Sequence, residues 1–301
     1  MNILNYTQTL NNQTIATIGF FDGVHTGHQF LLSKLQTLSQ ASAMDSLVVS
    51  FNNSPQKVLY PERTIKILTT PTEKIALFSQ KDISHCLMLN FDTKIATLRA
   101  NDFLQNLKQN FGVQKLLIGY DHRFGSDAMA SFEDYQKLGS ELGVEIIQCP
   151  RFDNNGIQVS SSKIRLCISE GDIETANRLL GYNYTITGKV VHGNKIGRTI
   201  GIPTANLNVD NEKLIPKNGV YIIESNIKNH VYKGLLNIGI RPTINGSSQT
   251  IETHLIDFNG DIYDEKITLY IKKRLRNEIK FSSIAELQQQ IEIDKNLLRS
   301  I

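Results

Sequence analysis

Two histidines three residues apart, His25 and His28, stand inside the string Ile18-Gly19-Phe20-Phe21-Asp22-Gly23-Val24-His25-Thr26-Gly27-His28-Gln29. A short apolar run leads to Gly19, and helical spacing begins near Gly27. A helix entrance of this kind offers an anion unpaired backbone N–H groups and the positive end of a helix dipole. Spacing of three turns both imidazoles toward one side of the first helical turn. There they can donate hydrogen bonds to phosphate oxygens, while Gly23 and Gly27 let phosphates approach the backbone. The residues alone leave two other readings open. One histidine caps the helix and the other is incidental, or the pair contributes to a metal site, for which i,i+3 histidines are a weak ligand set.

Three later stretches carry similar chemistry. Ile118-Gly119-Tyr120-Asp121-His122-Arg123-Phe124-Gly125 follows an apolar run, where a substrate would sit beyond a strand. Val159-Ser160-Ser161-Ser162-Lys163-Ile164-Arg165 puts a hydroxyl cluster at a predicted helix start with Arg165 one turn in, a pattern that alone reads as an N-cap with a surface arginine. From Thr187 to Asn206 the chain gathers Gly188, Gly193, Gly197 and Gly201 with Lys189, Lys195 and Arg198. That segment is neither a Walker A sequence nor a Rossmann fingerprint, so it reads as an anion loop or as a flexible hairpin tip.

The elements that position these residues change character along the chain. Up to about residue 150, strands at Thr14–Gly19, Leu47–Phe51, His85–Leu89, Lys115–Gly119 and Glu145–Gln148 alternate with helices at Gln29–Gln40, Pro71–Gln80, Ala100–Asn110 and Ser131–Leu142. Alternation of this kind predicts a parallel sheet covered on both faces. Beyond about residue 183, Thr185–Val191, Gly219–Ser225, Val231–Ile238, Thr250–Asp257 and Ile267–Ile271 are β-rich and separated by Asn-Gly turn signals, which predicts an antiparallel barrel or sandwich. Ser283 to Arg299 reads as a packing helix. The boundary is therefore placed between 181 and 182, giving domains 1–181 and 182–301.

At 301 residues the chain has room for two cores, and a formal charge of +3 is too small to argue for nucleic acid. Cys86, Cys149 and Cys167 are scattered without a CxxC pair, which argues against a disulfide framework or zinc site and fits a reducing, cytoplasmic compartment. No secretory signal and no membrane-length apolar run is visible.

The first string resembles the signature of the HxGH nucleotidyltransferase superfamily, whose members attack the α-phosphate of ATP and release pyrophosphate. The resemblance implies that His25 and His28 neutralise charge as pyrophosphate leaves, and that Gly19, Phe21, Asp22, Gly23 and Gly27 contact the nucleotide. The serine segment resembles the (I/V)-S-S-(T/S)-x-(I/V)-R motif of bacterial FAD synthetases. By that likeness Ser161, Ser162 and Arg165 hold the triphosphate, and Asp121 and Phe124 fall at adenine- and flavin-side positions. The stretch from Gly188 to Asn206 resembles the signature of riboflavin kinases, together with Gly239-Ile240-Arg241-Pro242-Thr243, Ile251-Glu252-Thr253-His254 and Asp257–Tyr263. That likeness implies nucleotide contacts from Gly188, Gly197 and Arg198, magnesium contacts from Thr204 and Asn206, a catalytic carboxylate at Glu252 and a flavin contact at Arg276.

Together the motifs resemble the bifunctional prokaryotic riboflavin kinase/FAD synthetase family. The resemblance implies a Rossmann-like sheet domain that adenylylates FMN to FAD and a β-barrel with a terminal helix that phosphorylates riboflavin to FMN. Both steps would use ATP with magnesium, in a monomer or weak oligomer. Phe51-Asn52-Asn53-Ser54-Pro55 departs from that family, which usually carries Pro-His-Pro there, so Ser54 supplies no imidazole. This departure keeps open an alternative, a riboflavin kinase whose first domain is weakly active or only binds nucleotide or flavin. A flavin-sensing regulator is a third reading, which no DNA-binding element or strong basic patch supports.

Overall fold

A computed structural model describes residues 1–127, 129, 131–153, 156–192, 202–243 and 246–299. Contacts divide the chain into two compact units, Met1–Ser160 and Ser161–Ile301.

The first unit is a parallel sheet with the strand order β1-β4-β3-β2-β5-β6. Its strands are β1 (Asn2–Leu4), β2 (Thr14–Ile18), β3 (Asp45–Phe51), β4 (His85–Leu89), β5 (Val113–Ile118) and β6 (Glu145–Gln148). Its helices are α1 (Thr26–Ser42), α2 (Pro55–Leu59), α3 (Pro71–Ser79), α4 (Thr93–Thr97), α5 (Ala100–Phe111) and α6 (Phe132–Leu142). Strands β2 and β4 are buried at every position. They alternate between two separate cores, as period-two side chains must. Ala16, Ile18, Leu47, Val49, Leu116 and Ile118 pack with Leu104 and Leu107 of α5 and Leu138 of α6. Ile15, Val48, Cys86, Met88 and Leu117 pack with Leu32 and Leu35 of α1 and Phe78 of α3.

The strand order reverses direction at β2. Chain order carries β2 to β3 on one side, and β5 returns to pair with β2 on the other. A crevice beyond the carboxyl ends of β2 and β5 is where such a sheet binds ligands. Both the Gly19–His28 segment and the Gly119–Phe124 segment leave the sheet there.

The second unit opens with α7 (Ser161–Glu170) and α8 (Ile173–Leu180). It continues with β7 (Tyr184–Val191), β8 (Ala205–Val209), β9 (Gly219–Ile227), β10 (His230–Thr243), β11 (Gly246–Leu255) and β12 (Lys266–Arg276), followed by α9 (Ile284–Arg299). The strands close into a barrel in the order β10-β11-β8-β7-β12-β9, which decides between barrel and sandwich. Closure leaves no open sheet edge. Helix α9 packs Ile291 and Leu298 on Val220, Ile222 and Leu235. Its start is held by reciprocal bonds: Ser282 donates from N and Oγ to the Glu286 carboxylate, and Glu286 N donates to Ser283 Oγ.

Several features differ from the sequence reading, which did not contain α2, α4 or α8. The edge strand β1 is too short and too exposed to show a burial period. Strand β8 begins in the last two residues of the stretch read as a glycine-rich loop and runs on to Val209. The compact-unit boundary falls at 160/161, so α7 and α8 cluster with the barrel, whereas the periodicity boundary at 181/182 put them with the sheet.

Arg276 of β12 is clamped to Asp294 of α9, with Nε 3.1 Å from Oδ1 and Nη2 2.7 Å from Oδ2. The Asp294 side chain is 2% exposed. Removing one partner of such a pair leaves a buried charge uncompensated. Asp294→Ala is therefore expected to destabilise the barrel by about 3–5 kcal/mol. Chemical denaturation followed by circular dichroism reads this, and a change below about 1 kcal/mol would contradict the clamp.

Candidate active sites in the two units

In the sheet unit, the backbone after β2 is held in an unusual shape. Phe21, Gly23 and Val24 all have positive φ, at 52°, 79° and 36°. A β-branched residue there is strained, and such strain persists only where surrounding structure over-determines it. The restraint is Asp22, 3% exposed, whose Oδ1 accepts from Leu68 N at 2.8 Å and Thr69 N at 3.1 Å. Gly23 N donates in return to Thr69 Oγ1 at 3.1 Å. Gly19 N donates to Val49 O, and a Cβ added at Gly19 would lie 3.0 Å from the Phe21 ring. Asp22 and Phe21, read from the sequence as nucleotide contacts, thus build the turn.

The turn delivers His25 to the N-cap of α1, where its Nδ1 accepts from His28 N at 3.3 Å. Gly27 makes room, since a Cβ there would meet the His25 ring at 3.3 Å. The two imidazoles lie face to face, with centroids 3.6 Å apart and planes inclined by 16°. The Phe21 ring meets His28 edge-on at 5.3 Å. Burial pulls the His25 pKa down to about 4. Burial, then the neighbouring His25, Lys74 and His122, hold His28 well below the usual imidazole range. Two stacked, buried imidazoles strongly disfavour carrying charge together, so the free pair stays uncharged, and a bound phosphate anion would favour uptake of a proton from solvent.

Lys74 was missed by the sequence reading. It comes from α3, whose start carries a Thr70–Glu73 capping box, and it is 1% exposed. Its Nζ donates to Phe51 O at 3.1 Å and Ser50 Oγ at 3.4 Å, and lies 4.0 Å from the Phe20 ring centroid. Burial brings its pKa down to about 8, partly offset by the charge of Asp22. The signal was spacing, since Lys74 stands four residues before the buried Phe78 and shares its helix face.

The departure at Ser54 has a structural account. Asn53 pairs with the backbone of Phe91, donating Nδ2 to Phe91 O at 2.7 Å and accepting from Phe91 N at 2.8 Å. Ser54 is buried at the N-cap of α2 without a capping bond. Asp121 is exposed in the turn after β5. Phe124 is 7% exposed and stacks on Tyr135 at 4.6 Å inside the core, so its ring supports the turn from below. Ser161, Ser162 and Arg165 occupy the first turns of α7 in the other compact unit.

In the barrel unit, Glu252 of β11 lies opposite Asn206 of β8 and Asn237 of β10. Asn237 lies opposite Val220, and Val220 opposite Arg276. Directly opposed residues share a face, so Asn206, Glu252 and Arg276 form one cross-strand row. Arg276 within it is spent on Asp294. Pro203 O is 2.8 Å from His254 Nδ1, which fixes the segment carrying Thr204 against β11. Thr204, Thr253, Phe258 and Tyr263 line a cavity of about 160 Å³. Gly188 lets β7 and β8 approach, because a Cβ there would lie 2.8 Å from Asn208 O. Gly197 and Arg198 lie outside the described residues. Thr204, Asn206 and Glu252 are oxygen donors, the chemistry a magnesium ion takes when substrate phosphates and water complete its shell. Among the described residues no cluster of His, Cys, Asp and Glu could hold a metal by itself.

A parallel sheet with imidazoles at its switch point, joined to a closed barrel with a carboxylate between amides, defines an enzyme of nucleotidyl and phosphoryl transfer. Residues 7–163 match the family described as FAD synthetase, and residues 180–301 match riboflavin kinase. The chain is 35% identical over 295 residues to the bifunctional riboflavin kinase/FMN adenylyltransferase of Escherichia coli (strain K12), covering 97% of this chain and 94% of that one. It is 36% identical over 296 residues to the relative of the same description from Buchnera aphidicola subsp. Schizaphis graminum, covering 96% and 94%. A crystal structure described as a macrolide-efflux protein from Streptococcus pneumoniae superposes with a TM-score of 0.90 at 29% identity, covering 100% of both chains. No helix among the described residues here is long and apolar enough to cross a membrane. The chain belongs to the bifunctional riboflavin kinase/FMN adenylyltransferase family.

The histidine pKa values set a direction for stability. His25 and His28 titrate lower in the fold than in the unfolded chain, so the unfolded chain binds more protons as pH falls below about 6.5. Their contribution is complete above that pH and is lost toward pH 4. The melting temperature of the sheet unit is expected to drop over this window, and saturating pyrophosphate is expected to reduce the drop. Calorimetric scans at stepped pH read both effects. Equal losses with and without pyrophosphate would contradict protonation of the pair by a phosphate.

Proposed function

We infer that this chain makes FAD from riboflavin in two ATP-dependent steps. The barrel unit transfers the γ-phosphoryl group of ATP to the ribityl 5′-hydroxyl. The sheet unit transfers AMP from a second ATP to the FMN phosphate and releases pyrophosphate. One observation carries the reading: each compact unit holds its own phosphate chemistry, the His25–His28 stack in one and the Glu252–Asn206 row in the other. We assign residues 1–181 to adenylyl transfer and 182–301 to phosphorylation, with Ser161, Ser162 and Arg165 serving the first reaction.

The roles follow from charge. As the FMN phosphate oxygen attacks the α-phosphorus and the bond to the bridging oxygen breaks, charge builds on the pyrophosphate. His25, His28 and the entrance to α1 stabilise that charge in a preorganised site. In the barrel, Glu252 accepts the proton of the attacking hydroxyl. Thr204 and Asn206 are the protein oxygens that would hold magnesium, which would help to neutralise the ATP phosphates. Gly188, Gly197, Arg198, Asp121, Gly19 and Gly23 belong to the two nucleotide sites. The three unpaired cysteines fit the cytoplasm, and we place the enzyme there as a monomer or weak oligomer.

One observation favours a second reading, a kinase whose sheet unit turns over slowly. Asn53 is committed to Phe91 and Ser54 brings no imidazole to the end of β3. Chromatography of the flavins formed from riboflavin and MgATP separates the two readings. FAD is expected to accumulate after FMN, and FMN alone would favour the second. His28→Ala is expected to slow FMN adenylylation by about 10²–10³ while sparing FMN formation. Glu252→Gln is expected to slow FMN formation by about 10²–10⁴ and spare adenylylation. Loss of both activities in either folded variant would contradict separate sites.

A further inference from the structure

Three buried imidazole nitrogens in the sheet unit have no hydrogen-bond partner among the described residues: Nδ1 of His28, Nδ1 of His85, whose Nε2 meets Asp45 within the fold, and Nε2 of His122. The first belongs to the pair already described. His122 comes from another strand, in the turn that leaves β5 beside the end of β2. Its turn is anchored on both sides. His122 N donates to Gly119 O at 3.1 Å, and Tyr120 O accepts from Gln148 Nε2 at 3.0 Å. On the far side, Phe124 N donates to Tyr135 Oη at 2.9 Å, and Tyr135 Oη donates back to Phe124 O at 2.8 Å. The fold therefore holds a histidine rigidly at the crevice and leaves one ring nitrogen dry and unused. An unpaired buried polar atom is destabilising, and a phenyl ring of similar shape would avoid that penalty. Such an atom calls for an explanation, and at the mouth of the crevice a bound ligand that completes its bonding supplies one.

We propose that His122 is a further substrate-contacting residue of the sheet-unit site, its Nε2 donating to an anionic phosphate oxygen of the bound nucleotide or flavin phosphate. The inference rests on the adenylyl-transfer reading and names one more residue of that site. Its surroundings suit the role. His25 and His28 at the start of α1 and Lys74 from α3 form a group of cationisable side chains with His122; burial holds the His122 imidazole below its usual range, partly offset by Asp121 on its own turn. Asp22, the other acid nearby, is bound to backbone N–H groups. An arriving phosphate is thus the anion this cluster lacks, and its binding draws a proton onto His122.

The test compares the wild-type chain with His122→Phe and His122→Gln. Calorimetric titration of MgATP and of FMN reads two binding phases, with the barrel site as internal reference. In His122→Phe one phase is expected to weaken about tenfold, the loss of one charge-assisted hydrogen bond, while the other stays unchanged. Weakening confined to MgATP assigns the contact to the nucleotide, and weakening confined to FMN assigns it to the flavin phosphate. His122→Gln keeps a donor and is expected to lose less, and it serves as the test if the phenylalanine variant fails to fold. Proton uptake on binding, read in buffers of different ionisation enthalpy, is expected to fall in both variants. Affinities within twofold of wild type, with unchanged proton uptake, would overturn the proposal. FMN-to-FAD turnover of the wild type is scored separately, so that its absence counts against adenylyl transfer and leaves the binding result to judge His122.

Discussion

A carboxylate almost sealed from water holds the sheet-unit site together. Asp22 accepts two backbone N–H groups from Leu68 and Thr69, and its neighbour Gly23 returns a bond to Thr69. Burying a charge is unfavourable unless hydrogen bonds replace its hydration, and backbone donors to a carboxylate are among the stronger replacements. Because that bond set is local and rigid, it can hold Phe21, Gly23 and Val24 at positive φ. The shape of the turn fixes where α1 begins, and hence where His25 caps it. The same bonds fix the residues just before α3, whose Thr70 cap sets the height at which Lys74 enters beneath Phe20.

The resulting site is poised by burial. Desolvation disfavours charge on His25, His28, Lys74 and His122, and the other three oppose it further on His28. A free site of this kind keeps its imidazoles neutral and dry. A triphosphate reverses the balance, because its oxygens supply both the negative charge and the missing acceptors. On the proposed reading, binding and protonation are one event, and the protonated imidazoles meet the charge that grows as pyrophosphate departs.

Much of this was legible in the sequence, for reasons that can be named. Strand β4 and helix α1 were readable because complete burial and one-sided burial leave different apolar periods. The HxGH segment was readable because glycine and histidine have few other reasons to alternate there. Strand β8 was hidden because its residues, Ala205-Asn206-Leu207-Asn208-Val209, follow a glycine-rich stretch whose turn chemistry dominated the reading. Lys74 was hidden because lysine on a helix ordinarily faces water. Arg276 was assigned to the flavin, yet in the fold its guanidinium meets Asp294, a partner eighteen positions away that no local pattern could reveal. Phe124 was likewise assigned to a ligand, while its ring packs on Tyr135 and holds the His122 turn from inside the core.

The two units also differ in a way their reactions require. A phosphate monoester such as FMN is already ionised near neutral pH, because its second pKa lies at about 6. Its attack on the α-phosphorus needs no base, only charge stabilisation and alignment. The sheet unit accordingly gathers imidazoles, and its buried acid, Asp22, is committed to the backbone. A ribityl hydroxyl is protonated at the same pH and cannot attack until a base accepts its proton. On the proposed assignment the barrel offers the carboxylate of Glu252, opposite Asn206 and Asn237, as that base. Exchanging the two designs would disable both steps. A carboxylate among the imidazoles would repel the triphosphate, and an imidazole held uncharged by burial would be a weak base in the barrel. On the proposed assignments, the protonation state of each nucleophile matches the kind of side chain gathered in its unit.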